Sequence, residues 1–180
     1  MDDRFSPTGP FLHEYLTEET RFGVWRRYSH PGGATYSEFT SHGEFLGFPM
    51  IHITRGVCPE TRRRKTARGF IAIGRRAFGF VALGQIAVGV IALGQASLGL
   101  VSAGQAAGGY LALCQGGFGW RLGIGQMVAG ETAIGQIAAG RYVLAQMGVG
   151  EHVWSTETAD PEAVAYFKGL METVSARLGI

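Results

Sequence analysis

The sequence predicts an all-β fold, and three patterns support that prediction. A small residue returns at every fifth position from Gly69 to Gly150, with one six-residue step before Gly125. Apolar residues alternate within each five-residue unit, as Val81 and Leu83 do. The second position of each unit alternates between glutamine and an apolar or aromatic residue, so the full repeat is ten residues long. Short strands separated by regularly spaced glycines are typical of a β-solenoid.

The alternation assigns an inside and an outside to each unit. We expect the third and fifth positions to point inward and the fourth, which is usually Ala or Ser, to point outward. Glycine is expected at a corner, where the chain turns sharply or lies against a neighbouring coil, since it adopts positive φ without steric cost. The residues predicted to be inward include Leu83, Leu93, Leu98, Leu113 and Ile134.

These units can close either a square coil of twenty residues or a flat coil of ten. The square coil is favoured because ten residues leave little room for Ile, Leu and Phe inside. It predicts glutamines on two opposite faces, with a ladder of amides along the axis. The predicted glutamine ladder is Gln85, Gln105, Gln126 and Gln146. The predicted apolar ladders are Phe80, Leu100 and Trp120 on one face, and Phe70, Val90 and Tyr110 on the other.

Small and large residues two positions apart, such as Ala96 and Leu98, resemble the inward pairs of pentapeptide-repeat proteins. That resemblance covers residues 69–150 and implies a right-handed quadrilateral β-solenoid of about four coils. The sequence departs from the family at the residue between each pair, where Ala or Ser replaces the usual Asp or Asn. Residues 47–74 also resemble the leader of glycine-rich repeats in uncharacterised bacterial proteins, a resemblance that implies no activity.

The rest of the chain divides into two caps around the solenoid. Residues 1–68 are predicted to form an α+β cap, with a short helix within 11–28, a loop at 30–39 and a hairpin from Gly43 that covers the first coil. Residues 151–180 are predicted to form an amphipathic capping helix. Asp160 suits its N-cap and Pro161 its first turn.

The apolar face of that helix has two candidate partners. It is expected to pack on the last coil near residues 145–154, and the alternative is pairing with the same helix of a second subunit. Its apolar residues are Val164, Phe167, Leu170, Met171, Val174 and Leu178.

The repeat region can also be interpreted as a membrane-spanning segment. No charged residue lies between Arg76 and Arg121, so a hydropathy window indicates one or two spans. A helix, however, turns about 500° in five residues, which would scatter the glycines around it. The period also continues through Glu131 and Arg141, which a bilayer does not explain. The coil is therefore favoured.

Because the first ten residues lack an apolar core, we predict no signal peptide and a cytoplasmic location, with peripheral membrane association as the alternative.

Catalytic and metal-binding patterns are missing from the sequence. The five histidines are scattered, no zinc-type cysteine pair occurs, and no phosphate-binding loop is present. The sequence therefore predicts a protein that is not an enzyme and needs no cofactor or metal. Cys58 and Cys114 are expected to be reduced thiols. His52, between Ile51 and Ile53, is expected to be the outward residue of a strand.

A basic run precedes the repeats at Arg62, Arg63, Arg64, Lys65 and Arg68. The simplest interpretation is a solvated turn balanced by Glu60 and nearby acids, and the alternative is contact with anionic lipid or nucleic-acid phosphates. Nucleic acid is disfavoured because no aromatic residue within the run could stack on bases. DNA mimicry is disfavoured too, since residues 69–150 carry a single acidic residue.

The outward surface is the remaining clue to function. Its large apolar side chains would be poorly hydrated, and such patches usually meet a partner. The predicted interface is Phe80, Val90, Leu100, Tyr110 and Trp120. We expect a structural, self-assembling scaffold that forms a homo-oligomer or filament. A module that binds another protein, or a peripheral membrane protein, would use the same faces.

Overall fold

The computed structural model describes residues 15–29 and 33–179, and in these residues the fold is all-β with one C-terminal helix, as predicted. The elements in chain order are β1 (Leu16–Thr20), β2 (Gly23–Ser29), β3 (Thr35–Ser41), β4 (Glu44–Phe45), β5 (Phe48–Pro49), β6 (Ile51–Arg55), β7 (Ala67–Trp154) and α1 (Pro161–Leu178). The repeats all lie within β7, a strand that bends repeatedly.

The N-terminal cap is a sheet that continues into the repeats. Its order is β1-β2-β3-β6-β7, and β4 pairs with β5 in a separate hairpin. β6 runs parallel to the start of β7, with Ile51 opposite Ile71, so the predicted hairpin into the first unit is wrong. The sheet covers the first unit through β6.

Two predictions for the cap are corrected. Residues 16–20 and 23–29 form strands and not a helix, whereas residues 11–14 lie outside the described part. Residues 35–41 form β3 and not a loop, and residues 30–32 also lie outside it. The strands form because cross-strand pairs outweigh the weak helical spacing. Trp25 lies opposite Phe39, with ring centroids 5.0 Å apart.

Contacts along β7 repeat after ten residues. A Cβ on Gly84 would lie well inside 3.0 Å of the Gly74 carbonyl oxygen, and one on Gly94 would meet the Gly84 oxygen in the same way. The rings of Phe70 and Phe80 stack at 4.8 Å with 3° between their planes, which is the spacing of neighbouring strands. The preferred twenty-residue square coil is therefore wrong. Residues that lie beside each other in neighbouring units are ten positions apart in the sequence.

The interior of the repeats is made of small residues. The fourth position of each five-residue unit is buried through most of β7, and at Ala72, Ala77, Ala82, Ala87 and Ala92 the exposure is 0%. The predicted inward leucines Leu93, Leu98 and Leu113 are exposed, and Leu83 and Ile134 are half-buried. The predicted inside and outside are therefore wrong for the third, fourth and fifth positions, whereas Gln85, Gln105 and Gln126 lie outside, as predicted. These buried positions hold mainly Ala and Ser, and larger side chains such as Leu93 and Leu98 lie at the exposed positions beside them.

The repeat glycines serve close approach and not a special backbone conformation. The glycines with positive φ among the described residues are Gly33, Gly47, Gly56 and Gly179, all outside β7. Within β7, most glycines lie where a Cβ would collide with a carbonyl oxygen of the preceding unit. Two reasons for glycine were expected, a sharp turn of the chain and close packing against a neighbouring unit. Close packing is the one observed within β7.

The six-residue step is absorbed within a single unit. A Cβ on Gly125 would meet the Cys114 oxygen, and one on Gly130 would meet the Gly119 oxygen, each eleven residues earlier. At Gly135 the contact returns to Gly125, ten residues earlier. The later units therefore stay in register, as predicted.

The C-terminal helix begins as its sequence predicts, and only part of its apolar face packs on the repeats. Asp160 accepts hydrogen bonds from the backbone N–H groups of Glu162 (2.8 Å) and Ala163 (3.2 Å). Phe167 is buried, and Tyr166 stacks on Tyr142 at 4.1 Å. The first half of α1 therefore packs on the last units of β7. The second half leaves Met171, Val174 and Leu178 exposed.

A buried carboxylate joins the cap to the first unit. Glu38 accepts hydrogen bonds from the Tyr36 hydroxyl (2.8 Å), from His52 Nε2 (3.0 Å) and from the Lys65 ammonium. His52 Nδ1 accepts from the Arg68 backbone N–H at 2.9 Å, which leaves the His52 proton on Nε2. His52 is therefore buried and not outward. Burial alone would raise the pKa of Glu38, but these hydrogen bonds outweigh it and lower that pKa to about 2.

The ten-residue register can be tested with two glycine substitutions. Gly104→Ala would force a Cβ against the Gly94 oxygen, whereas a Cβ at Gly116 would meet nothing within 4 Å. We expect Gly104→Ala to lower the free energy of unfolding by about 1–3 kcal/mol or more. Gly116→Ala should leave it unchanged or raise it by up to about 1 kcal/mol. Urea unfolding followed by circular dichroism measures both, and equal effects would contradict the register.

The Glu38 cluster predicts a loss of stability in acid. Its folded pKa of about 2 lies below the ordinary 4.5, so its contribution is complete above about pH 4.5 and is lost as the pH falls toward 2. The melting temperature of the wild type should therefore fall more steeply over that range than that of Glu38→Gln. Parallel profiles for the two proteins would show that Glu38 is not held in this way.

Candidate functional site

As far as Trp120, the second position of each ten-residue unit forms a row of apolar side chains, all exposed except the half-buried Phe70. We name this row the aromatic edge, and it comprises Phe70, Phe80, Val90, Leu100, Tyr110 and Trp120. Leu100 is 56% exposed and Trp120 is 68% exposed. The sequence predicted two separate ladders on opposite faces. The ten-residue register instead makes them neighbours in one row, as the stacked rings of Phe70 and Phe80 show.

A second set of apolar residues flanks the aromatic edge. Each lies at the tenth position of a unit, directly before the glycine that precedes an aromatic-edge residue. Phe78 and Val88, at the tenth position, border a groove of about 700 Å³ together with Phe70, Phe80 and Val90. At the far end, Phe118 contacts Trp120 with ring centroids 6.3 Å apart. The aromatic edge is therefore a band two side chains wide.

The N-terminal cap extends the aromatic edge through the β4-β5 hairpin. Phe45 packs edge-to-face on Phe70 at 5.5 Å, and Phe48 lines the same groove. Leu46 at the hairpin tip is 83% exposed and has a φ of 52°. Such a two-residue turn normally favours Asn or Gly, because a branched side chain is strained at positive φ. The chain thus has an exposed leucine where folding alone favours a small polar residue.

The turn between β1 and β2 adds another apolar tip. Phe22 is 75% exposed, and its carbonyl accepts a hydrogen bond of 3.1 Å from the His42 N–H. That bond places the turn beside the chain that leads into β4. Sequence reasoning missed Phe22 and Leu46, although each is an apolar residue at the tip of a short turn, and that signal was available.

Glutamine occupies the seventh position of the units. All seven glutamines of β7 are exposed: Gln85, Gln95, Gln105, Gln115, Gln126, Gln136 and Gln146. We name this row the glutamine edge. The predicted ladder joined Gln85 directly to Gln105, but in the ten-residue register Gln95 lies between them. Gln85 borders a different groove from the aromatic edge.

The basic run is divided among four environments. Lys65 pairs with Glu38, and Arg68 borders the groove of the aromatic edge. Arg64 borders a second groove, while Arg62 and Arg63 are exposed. The turn is exposed, as its simplest interpretation predicts, and Glu38 is the nearby acid that pairs with Lys65, whereas Glu60 lies 3.6 Å from Arg26 of β2.

The cysteines are free and buried. Burial raises the pKa of the Cys114 thiol. Burial also opposes ionisation of Cys58, but hydrogen bonds from Thr61 and Glu60 lower its pKa. Over residues 15–29 and 33–179, no three His, Cys, Asp or Glu side chains are grouped so that they could hold a metal ion. Within the same ranges, α1 lacks the length and apolar character needed to cross a membrane.

No family model, curated protein or solved structure matches this chain. The candidate site therefore consists of the aromatic edge and its two turn tips, and its function must be argued from their geometry.

The strain at Leu46 gives a prediction for the hairpin tip. Leu46→Asn should leave the free energy of unfolding unchanged or raise it by up to about 1 kcal/mol, because Asn tolerates positive φ better than Leu. Phe45→Asn, at the neighbouring residue of the same hairpin, should lower it because the contact with Phe70 is lost. Thermal unfolding of both variants measures this. A marked loss in Leu46→Asn would mean that the leucine serves folding.

Proposed function

We propose that this protein is a structural β-solenoid with flat ten-residue coils, and that copies associate through the aromatic edge. The contacts at ten-residue intervals and the alanine interior support such a coil. One buried residue in five distinguishes it from the square coil implied by the pentapeptide-repeat resemblance, in which two residues in five point inward. Half a period separates the second and seventh positions, so the aromatic and glutamine edges would lie on opposite sides.

The observation that carries the proposal is the length of the apolar band. It runs from the hairpin tip at Leu46 through Phe70 to Trp120. No charged residue occurs between Arg76 and Arg121. Contiguous apolar patches of more than a few hundred Å² on soluble proteins usually mark an interaction site.

The area is sufficient for a stable contact. If about ten edge side chains each bury roughly half of the 150–250 Å² available to an aromatic residue, one copy contributes about 800 Å², a standard interface. At about 25 cal/mol per Å², two copies would gain roughly 40 kcal/mol from apolar burial, an upper value before ordering and desolvation. That exceeds the estimated 4–15 kcal/mol lost in rotational and translational freedom.

A second copy of the same chain is the partner that fits. The aromatic edge is uncharged and its rungs repeat at the 4.8 Å observed for Phe70 and Phe80, so a second edge matches it in both spacing and polarity. A two-fold contact would bury both edges and leave both glutamine edges in water. Nothing in this arrangement requires a catalytic activity or a cofactor.

Light scattering after gel filtration tests the association. The wild type should be an oligomer, and Leu100→Glu combined with Trp120→Glu should give folded monomers, because two carboxylates would be buried in the interface. The matched control, Gln95→Glu combined with Gln115→Glu, adds the same charge to the glutamine edge and should remain oligomeric. A monomeric wild type, or a control that dissociates equally, would overturn the proposal.

Peripheral membrane binding is the second candidate, and the turn tips favour it. Exposed Phe22 and Leu46 at the ends of turns resemble side chains placed for insertion into a lipid interface. Sedimentation with lipid vesicles, compared between the wild type and Phe22→Ser combined with Leu46→Asn, distinguishes this candidate. Binding that needs both tips supports it, whereas no sedimentation excludes it.

A further inference from the structure

A second groove lies against Gly74 and Gly84, away from the aromatic edge, with a volume of about 570 Å³. Three arginines border it: Arg55 from the end of β6, Arg64 from the loop before β7, and Arg75 from the first unit. Two of them are neighbours in register. Thr54 pairs with Gly74, so Arg55 and Arg75 come next on adjacent parallel strands. The row that they begin continues with Gln85.

The three positive charges have no acidic partner in the described part of the chain. The nearby carboxylates are engaged elsewhere, since Glu38 bonds Lys65 and His52, and Glu60 lies beside Arg26. Like charges side by side on neighbouring strands destabilise a sheet. An anion between these guanidinium groups would remove that cost, and planar guanidinium groups bind phosphate and carboxylate oxygens in pairs.

The loop that carries Arg64 is held in place. Arg76 donates a hydrogen bond to the Arg64 carbonyl (2.9 Å), and Thr54 Oγ1 donates to the Lys65 carbonyl (3.1 Å). The Cys58 N–H also donates to the Arg63 carbonyl at 2.9 Å. Arg64 is thus presented to the groove by a backbone fixed on both sides, which lowers the entropic cost of binding a ligand.

The rest of the groove is apolar. Ile53 pairs with Ile73 across β6 and β7, and Leu83 follows one unit later, all three half-buried. A bare anion would leave this surface exposed to water. The lining contains no aromatic ring on which a nucleic-acid base could stack. Basic groups beside an aliphatic surface fit a molecule with an anionic head and a hydrocarbon chain.

We propose that this groove binds an anionic amphiphile, a phosphate- or carboxylate-headed molecule with one acyl chain. The head lies among Arg55, Arg64 and Arg75, and the chain lies along Ile53, Ile73 and Leu83. This site is separate from the aromatic edge and does not rest on self-association. It differs from the expectation for the basic run, because Arg55 and Arg75 lie outside that run and Lys65 is bound to Glu38.

Isothermal titration calorimetry with dodecyl phosphate, below its micelle concentration, tests the site. The wild type should bind one molecule per chain. Arg55→Gln combined with Arg75→Gln should weaken binding at least about tenfold, because the charged hydrogen bonds of two guanidinium groups to the head are lost. The matched control is Arg63→Gln combined with Arg141→Gln, which removes the same charge outside the groove and should bind like the wild type. Unchanged binding in the groove variant would place the ligand elsewhere and overturn the proposal.

Two further probes separate the head from the chain. Dodecyl maltoside has the same chain with an uncharged head, and inorganic phosphate has the head without a chain. Both should bind at least about tenfold more weakly than dodecyl phosphate, since each loses one half of the contacts. Equal binding of the maltoside would show that the arginines are not used, and equal binding of inorganic phosphate would leave a simple anion site. A short single-stranded oligonucleotide that bound more tightly than dodecyl phosphate would also overturn the amphiphile.

Discussion

The close approach of most repeat glycines to a carbonyl oxygen of the preceding unit is the constraint on which the rest of the structure depends. The oxygen lies where a Cβ would be, so at most of these positions only glycine lets neighbouring units come within strand-pairing distance. Cys114 and Ala145 are the exceptions, and both are buried. Cys114 precedes the eleven-residue step and Ala145 lies near the end of β7, so the repeat departs from glycine where its regularity ends.

The narrow unit inverts the usual distribution of apolar residues. Each ten-residue unit buries two small side chains, such as Ala82 and Ala87, while Ile86 and Leu93 remain exposed. Because an alanine buries little apolar area, backbone hydrogen bonds between units must provide much of the stability. The large side chains outside gain from burial only when a partner covers them. Association through the aromatic edge would therefore supply both a binding function and part of the missing hydrophobic stabilisation.

The sequence predicted the elements that depend on local patterns. The repeat, the absorbed extra residue and the Asp160-Pro161 helix start all follow from neighbouring residues. The coil size did not follow, because an Ile-Ala-Ile pattern allows either the isoleucines or the alanine to point inward. Hydrophobicity alone wrongly favoured the larger residues as the inward ones. A better signal was volume, since the fourth position is almost always small while the third and fifth vary in size. The Glu38 cluster and the pairing of Arg55 with Arg75 join distant segments, so the sequence alone could not predict them.

After Trp120, charged residues replace apolar residues at the second position of the units. Arg121 pairs with Glu131 at 2.6 Å, and Arg141 pairs with Glu151 at 3.2 Å, so charged rungs neutralise one another along the later units. The first half of α1 covers the same region through Tyr142. The charged residues of this half oppose alignment with a second aromatic edge, so a second copy would align only with the apolar half.

The ends of the sheet oppose a filament built by stacking one copy on another. The outer strand β1 carries exposed Glu18 and Glu19, which discourage pairing with another strand. At the other end, the chain turns back after Trp154, and Ala159 forms an antiparallel bridge to it. Because both ends of the sheet are protected in the described residues, a second copy would contact the sides of the repeats, where a contact related by two-fold symmetry closes on itself. The arrangement of charges therefore favours a closed dimer over a filament.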